Sequence, residues 1–552
     1  MSAGVPGAET APEAGGGRMR AGELDAALAA IFAPDGPLSR TLSDYRARTG
    51  QREMAARIGR AILERRVLLA EAGTGTGKTV AYLVPALLAG GKVIVSTGTK
   101  TLQDQLFQRD LPAVRAALAV PVTAAVLKGR ANYVCHYHLG RNLDDARLPS
   151  RAAAADLQAI ARFARRTRSG DRAELDAVAE DSPAWAAATS TRENCLGAKC
   201  PDFASCFVMQ ARREALAADV VVVNHHLFFA DVVLKDEGMA ELLPSCNTVV
   251  LDEAHQLPET ASDFFGETVS TGQVLDLCRD TLAEAAVSAR DVRELPERVR
   301  ALDKAARDLR LAVPRKETRI PAAALEEDGE FAPAVARLAH AVAALRSGLA
   351  ALAERSEGLA HCARRAGEMA ERLARWRDAH DAGVIRWVEV FTQSAALRMT
   401  PLSIAAPFRR QLDGPPRAWI FTSATLAVRG DFGHYRDALG LDDADVACWA
   451  SPFDYGANAL VYLPPALPLP NSAEHTDAVV DAAVPVLAAS RGRAFLLFTS
   501  LRAMRQAHAR LAGQLRAAGL DLPLLLQGEG SRSELLARFR RLGNGVLVAS
   551  AS

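Results

Sequence analysis

Two stretches of this chain hold side chains suited to phosphate chemistry. In RVLLAEAGTGTGKT, residues 66–79, the small residues Ala72, Gly73, Thr74, Gly75, Thr76 and Gly77 form a loop whose backbone N–H groups can approach an anion closely. Lys78 would reach the β- and γ-phosphates of a nucleoside triphosphate, and the Thr79 hydroxyl would coordinate Mg²⁺. The strict pattern has glycine where this chain has Ala72. Further on, NTVVLDEAHQLPE (247–259) closes an apolar run with Asp252-Glu253-Ala254-His255. Two adjacent carboxylates at the end of a buried strand are costly unless they serve a cation. In a phosphate-loop enzyme Asp252 holds Mg²⁺ through water, and Glu253 orients and deprotonates the attacking water. His255 would link the nucleotide state to a neighbouring domain. A chance glycine-rich turn and a surface Asp-Glu pair are the bland readings. Strand, loop and helix signals in register, with VVLDEAH downstream, argue against both.

The elements that must position these groups are legible around them. Val67, Leu68 and Leu69 suit a short buried parallel strand, and a helix is expected from Lys78. Upstream, YRARTGQREMAARIGRAILERR (45–66) predicts a helix starting near Gln51. The Gln51 amide donates and accepts on one edge and so suits adenine, although a solvated helix start explains it as well. KVIVSTGTKTLQDQL (92–106) reads as strand, Ser/Thr-rich turn and helix. Thr97 and Thr99 there suit a nucleic-acid phosphate, while an ordinary helix cap also accounts for Thr99. ADVVVVNHHLFFAD (218–231) and RAWIFTSATLAV (417–428) supply further strands, the latter ending in Ser423-Ala424-Thr425, which can relay hydrogen bonds toward a partner domain.

The cysteines form a second constellation. Cys135 is followed, after a long insertion, by Cys195, Cys200 and Cys206, with four and five residues between the last three. Structural zinc sites usually hold CxxC-like pairs, absent here; four thiolates with one arriving from far away suit a [4Fe–4S] cluster. Zinc stays open on spacing alone, and His136 and His138 are further possible ligands. Cys246, Cys278, Cys362 and Cys448 stand singly and read as small core residues.

The chain has 552 residues with 49% apolar side chains, so several domains with their own cores are expected. Lys and Arg total 66 against 65 Asp and Glu, so any nucleic-acid contact must come from local basic surface. No apolar run long enough for a membrane span occurs, and no secretory signal opens the chain; a cytoplasmic setting with reduced cysteines is expected. Residues 1–20 have a disordered composition, 262–385 are rich in Ala, Leu, Arg and Glu at helical spacing, and a second α/β segment starts near residue 430.

Taken together, YRARTGQ, EAGTGTGKT, STGTKTLQDQL, the four cysteines, VVVNHH, LDEAH, TSATL, SPFDY and FTSLRAM resemble the XPD/DinG family of iron–sulfur superfamily 2 DNA helicases, the bacterial DinG/YoaA branch most closely. The Ala72 departure is common in helicase loops of this kind. The resemblance implies an α/β fold of two RecA-like P-loop domains with an inserted Fe–S domain and an inserted helical arch. The implied layout is a tail over 1–20 and RecA-like domain 1 over 21–130, 216–261 and 386–428. The Fe–S domain would span 131–215, the arch 262–385 and RecA-like domain 2 429–552. It further implies ATP, Mg²⁺ and a [4Fe–4S] cluster as cofactors and 5′→3′ movement on single-stranded DNA. Substrates would be 5′-tailed or branched duplexes in replication or repair, for a nucleoid-associated monomer. By position Arg48 and Gln51 match the adenine-side motif, and Arg130 and Tyr133 are candidate DNA contacts. Family members continue past a strand like GVLVASAS into FWEG-type and QxxGRxIR motifs, neither of which is present here. On that basis domain 2 is expected to be incomplete and hydrolysis impaired. A nucleotide-dependent single-strand DNA clamp and a zinc-containing P-loop ATPase are the alternatives.

Overall fold

The computed structural model describes residues 20–43, 45–145, 150–192, 194–236, 242–327, 329–379, 383–470, 472–530 and 532–550. Of the tail expected over 1–20, residues 1–19 lie outside the described set, as do the last two residues, while Arg20 instead caps the first helix, Ala21–Ile31. In chain order the strands are β1 Val67–Ala72, β2 Val93–Thr97, β3 Ala124–Val126, β4 Val220–Asn224, β5 Thr248–Asp252, β6 Glu267–Ser270 and β7 Thr318–Pro321. They continue with β8 Val384–Val390, β9 Ala395–Pro401, β10 Ala418–Ser423, β11 Asp445–Trp449, β12 Ala494–Phe498, β13 Leu524–Leu526 and β14 Val546–Ser550. The chain divides into two units, residues up to Lys128 with Ala211–Phe453, and Gly129–Gln210 with Asp454 onward.

The first unit is built on a seven-stranded sheet in the order β11-β1-β10-β5-β2-β4-β3, parallel throughout. Its central strands are continuous apolar runs because helices cover both faces, and β2, β5 and β10 are buried along their whole length. Met54 and Ile58 of the helix Thr49–Glu64 and Tyr82 and Leu83 of the helix Lys78–Ala89 pack in one core with Leu68, Val95 and Ile420. Since every strand runs the same way, the C-terminal ends of β1, β2, β4, β5 and β10 share one edge. That edge is where an open α/β sheet places its ligands.

Two stretches differ from the sequence expectation. Residues 386–401 do not return to the parallel sheet. β8 and β9 join β6 and β7 in a four-stranded antiparallel sheet, order β6-β9-β8-β7, so the insertion runs to Pro401. Val388, Val390, Ala395 and Leu397 face a core shared with the helices Thr271–Ser288, Glu294–Leu311, Phe331–Ala350 and Glu357–Asp378. The alternate positions carry charge, Glu389 pairing with Arg319 at 3.1 Å and with Arg398 at 2.8 Å, which disguises the strands in a helix-rich composition. Likewise β11, expected in the second domain, pairs with β1, Leu69 opposite Val446. As an edge strand it is only half-buried and lacks the long apolar run of its neighbours.

In the second unit β12, β14 and β13 form a parallel three-stranded sheet in that order. Val546 and Val548 pack on Val480 and Leu487 of the helix His475–Ser490 and on Met504 and Leu511 of the helix Leu501–Ala517. The cysteine segment is mostly helix and turn, including His136–Asp145, Arg151–Ala164 and Ala184–Ala188, tied by bridges Tyr133 to Asp171 and Val134 to Thr189.

Candidate active site

The phosphate loop leaves β1 at Ala72 and enters the helix Lys78–Ala89 through Gly77, whose φ of 84° is the left-handed conformation that glycine permits. Thr76 Oγ1 donates to the Gly73 carbonyl at 2.7 Å, and Lys78 Nζ reaches back to the Ala72 carbonyl at 3.4 Å, so the ammonium spans the loop it is meant to serve. Gln51, buried at the loop's side, donates from Nε2 to the Gly77 carbonyl at 3.0 Å. A Cβ on residue 77 would fall 2.2 Å from that nitrogen. Gln51 Oε1 is buried with no hydrogen-bond partner. The amide thus spends its donor on the loop and keeps its acceptor. Arg48 is the residue before the helix Thr49–Glu64 and acts electrostatically on the Tyr45 hydroxyl.

Asp252, at the end of β5, is buried and accepts from the Tyr82 hydroxyl at 3.1 Å and from the Glu253 N–H at 3.0 Å. Burial and the neighbouring Asp252 charge push the Tyr82 hydroxyl well above its ordinary value, so it stays a donor to that carboxylate. Burial pushes the Asp252 carboxyl up to about 7, with the charge of Glu253 adding to it and Lys78 and the Tyr82 bond opposing. A carboxylate so poorly compensated by protein cations is suited to a divalent ion. Glu253 has φ of 55°, a left-handed turn directly after the strand. Its carboxylate stands 3.4 Å from both Ser423 Oγ and His255 Nδ1, and those two are 2.8 Å apart. The relay expected of Ser423 and His255 is therefore a three-way contact with the candidate base. Lys78, Thr79, Asp252 and Glu253 are brought to one sheet edge, as their motifs predict.

The nucleic-acid candidates are rearranged. Thr97 is buried and donates to the Thr99 carbonyl at 3.2 Å, and Thr99 Oγ1 caps the next helix by accepting from the Leu102 N–H at 3.2 Å. Both hydroxyls have local work; in that loop Gly98 is half-buried and Thr99 and Lys100 are exposed. Tyr133 is buried, so of the pair Arg130 and Tyr133 only Arg130 keeps a partly exposed side chain.

Cys135, Cys195, Cys200 and Cys206 are free, partly buried thiols in one segment of the second unit. Burial pushes the Cys135 thiol up to about 11, and each of the other three adds to the rise, so the four share one electrostatic neighbourhood. Among the described residues, however, no group of three or more His, Cys, Asp or Glu is gathered to hold a metal ion. The donor set fits an iron–sulfur or zinc centre in kind, four soft thiols and no carboxylate. The histidines have other contacts: His136 stacks on Phe207 at 4.8 Å and His138 Nε2 lies 3.2 Å from the Asn194 carbonyl.

A DEAD/DEAH box helicase family model matches residues 52–132. The ATP-dependent DNA helicase YoaA of Escherichia coli K12 is 40% identical over 528 residues, covering 94% of this chain and 81% of the relative. The chain belongs to the XPD/DinG-like helicases, in their DinG/YoaA branch. The ATP-dependent helicase DinG of Mycobacterium tuberculosis H37Ra is 32% identical, covering 89% of this chain and 76% of its own length. A solved XPD helicase structure shares the fold, with a TM-score of 0.50 at 15% identity over 92% of this chain and 80% of that one.

Three parts of this helicase site escaped sequence reading. Tyr82 carries no motif signal in the sequence, yet its hydroxyl donates to the Asp252 carboxylate. Glu71, in β1, accepts the N–H groups of Leu426 and Ala427 at one oxygen and so ties the loop's own strand to the segment after Ser423-Ala424-Thr425. Its signal was a lone carboxylate inside an apolar strand. The stretch Trp449–Phe453 lies over the phosphate loop as a strap. The Gly73 N–H donates to the Trp449 carbonyl at 3.0 Å and Ser451 Oγ to the Thr74 carbonyl at 2.7 Å.

Proposed function

We propose that this chain is an ATP-dependent DNA helicase that moves 5′→3′ on single-stranded DNA in replication or repair. The observation that supports it most is the gathering of Lys78, Thr79, Asp252 and Glu253 at one sheet edge, with Ser423 and His255 against the carboxylate of Glu253. Lys78 and the loop N–H groups bind the phosphates, Gln51 Oε1 accepts from the adenine amino group, and Arg48 supports that side. Thr79 and Asp252 would hold Mg²⁺, which would supply positive charge to the phosphates. Glu253 takes the proton of the attacking water, and the Ser423–His255 contact reports the change at its carboxylate.

A [4Fe–4S] cluster on Cys135, Cys195, Cys200 and Cys206, within an Fe–S domain, is the companion reading. The insertion Glu267–Pro401 is the arch. Partners are single-stranded and 5′-tailed or branched DNA, in a cytoplasmic, nucleoid setting.

The deciding measurement is ATP hydrolysis with and without single-stranded DNA, alongside displacement of a strand from a 5′-tailed duplex. Both activities in wild type would support the motor and set aside the impaired hydrolysis expected from the sequence. Glu253→Gln should keep ATP binding and lose turnover by about 10²-fold or more, the scale of a lost general base. Binding of the tail without hydrolysis or displacement by wild type would overturn the motor in favour of a clamp.

A further inference from the structure

Two contacts tie the end of β2 and the loop after it to their neighbours, one to the helix after β4 and one to the turn after β5, and neither is explained by phosphate or metal binding. Ser96, the penultimate residue of β2, is wholly buried, and its Oγ lies 2.7 Å from Nδ1 of His225. His225 starts the helix that follows β4, is itself wholly buried, and has no hydrogen bond at Nε2. Ser96 stands opposite Leu251 in the β2–β5 register, one residue before Asp252, and the backbone of Asp252 and Glu253 also acts on the ring that Ser96 holds. The sheet order makes this possible: β2 lies between β4 and β5, and a side chain leaving the end of β4 reaches β5 only across β2. The second contact is at Gly98, where a Cβ would come within 2.4 Å of Gln256 Oε1, one residue past His255. Directly beside His225, His226 is under the charge of Lys100, at the open end of the same loop.

We propose that His225, with the Gly98–Gln256 contact beside it, is the positioning residue through which DNA on the Gly98–Lys100 loop sets the placement of Asp252 and Glu253. The inference rests on the helicase reading and on that loop being a DNA contact. Its physical basis is that the buried ring has one hydrogen bond of normal geometry, to Ser96, and none at its other nitrogen. With the Ser96 hydroxyl donating to Nδ1, the proton is on Nε2, a buried donor with no partner of normal geometry. A phosphate that draws the loop outward moves Ser96 and Gly98 together. The ring then turns toward or away from the carbonyls at Asp252 and Glu253, and Gln256 shifts with it. Hydrolysis geometry is thereby conditional on DNA, with neither side chain touching DNA or nucleotide.

The test compares Ser96→Ala, His225→Gln and Gln256→Ala in the full chain, measuring ATP turnover with and without single-stranded DNA, KM for ATP, and DNA affinity by anisotropy. Each variant should lower the ratio of DNA-stimulated to basal turnover, by about tenfold for Ser96→Ala and His225→Gln. KM and DNA affinity should stay near wild type. The double variant Ser96→Ala/His225→Gln should lose no more than the worse single, because both cut one link. If His225→Gln fails to fold, Ser96→Ala and Gln256→Ala carry the same comparison. Full stimulation in folded variants, or losses that multiply in the double, would overturn the proposal. Lys100→Ala separates the readings: unchanged DNA affinity there removes the loop as a DNA contact. Weakened affinity with intact stimulation in the Ser96 and His225 variants removes the coupling alone.

Discussion

At the scale of single residues the site turns on one buried carboxyl with little cationic compensation. Asp252 carries a carboxyl raised to about 7, mainly by burial, against 3.8 for an ordinary one. The sign of its effect follows from linkage. Between those values the unfolded chain has released the proton and the folded one still holds it, so stability falls as pH rises through that window. The contribution is complete below the ordinary value and lost above about 7. Asp252→Asn keeps the shape and an acceptor for the Tyr82 hydroxyl but carries no charge. In EDTA at pH 8 the variant should therefore be more stable than wild type, by up to about 4 kcal/mol, with the difference shrinking toward pH 5. Thermal unfolding at both pH values checks it, and a gap that does not change with pH contradicts the account. Adding Mg²⁺ and ATP should narrow the gap by stabilising wild type alone.

At the scale of elements, the phosphate loop is confined from outside as well as by its own glycines. Gly75 has φ of 90°, and a Cβ there would stand 2.2 Å from the Phe453 ring. Gly75→Ala should thus cost about 1–3 kcal/mol and weaken nucleotide binding, part from the backbone and part from the overlap. Phe453→Ala in the same chain should recover the steric part only, which calorimetry and titration with a non-hydrolysable ATP analogue can apportion. This strap also marks what the sequence could and could not tell. β1, β2, β4, β5 and β10 were legible because a strand buried on both faces must be a continuous apolar run, and each ends in its motif. β8, β9 and β11 were not: edge position or a charged face removed the run, leaving composition to suggest helix or another domain. Lys78, Thr79, Asp252 and Glu253 could be named from spacing, since their chemistry requires those types in that order. The roles of Tyr82, Glu71, Ser451 and His225 depend on partners far away in sequence, and only the folded sheet brings them together.

At the scale of the whole molecule, the two chemistries belong to different units. Every residue assigned to phosphate, magnesium or water lies in the unit that runs to Lys128 and resumes at Ala211, whereas the four cysteines fall within Gly129–Gln210. The chain leaves the first unit immediately after Lys128, a nearly inaccessible ammonium held by Asp104 at 2.6 Å. Breaking a buried pair of this kind is expensive, so that exit point is fixed from the first unit's side. The nucleotide pocket should then keep its shape when the cysteine segment loses its ligand. Cys200→Ser is expected to abolish bound iron and the visible absorbance that dithionite bleaches in anaerobically purified wild type. The same variant should hold the dissociation constant for a non-hydrolysable ATP analogue within about twofold, the normal result for separate sites with no shared partners. Metal analysis completes the comparison: four irons per chain support the cluster, and one zinc per colourless chain supports a zinc module instead. A large loss of nucleotide affinity together with the metal would show that the cysteine segment shapes the phosphate loop and would overturn this prediction.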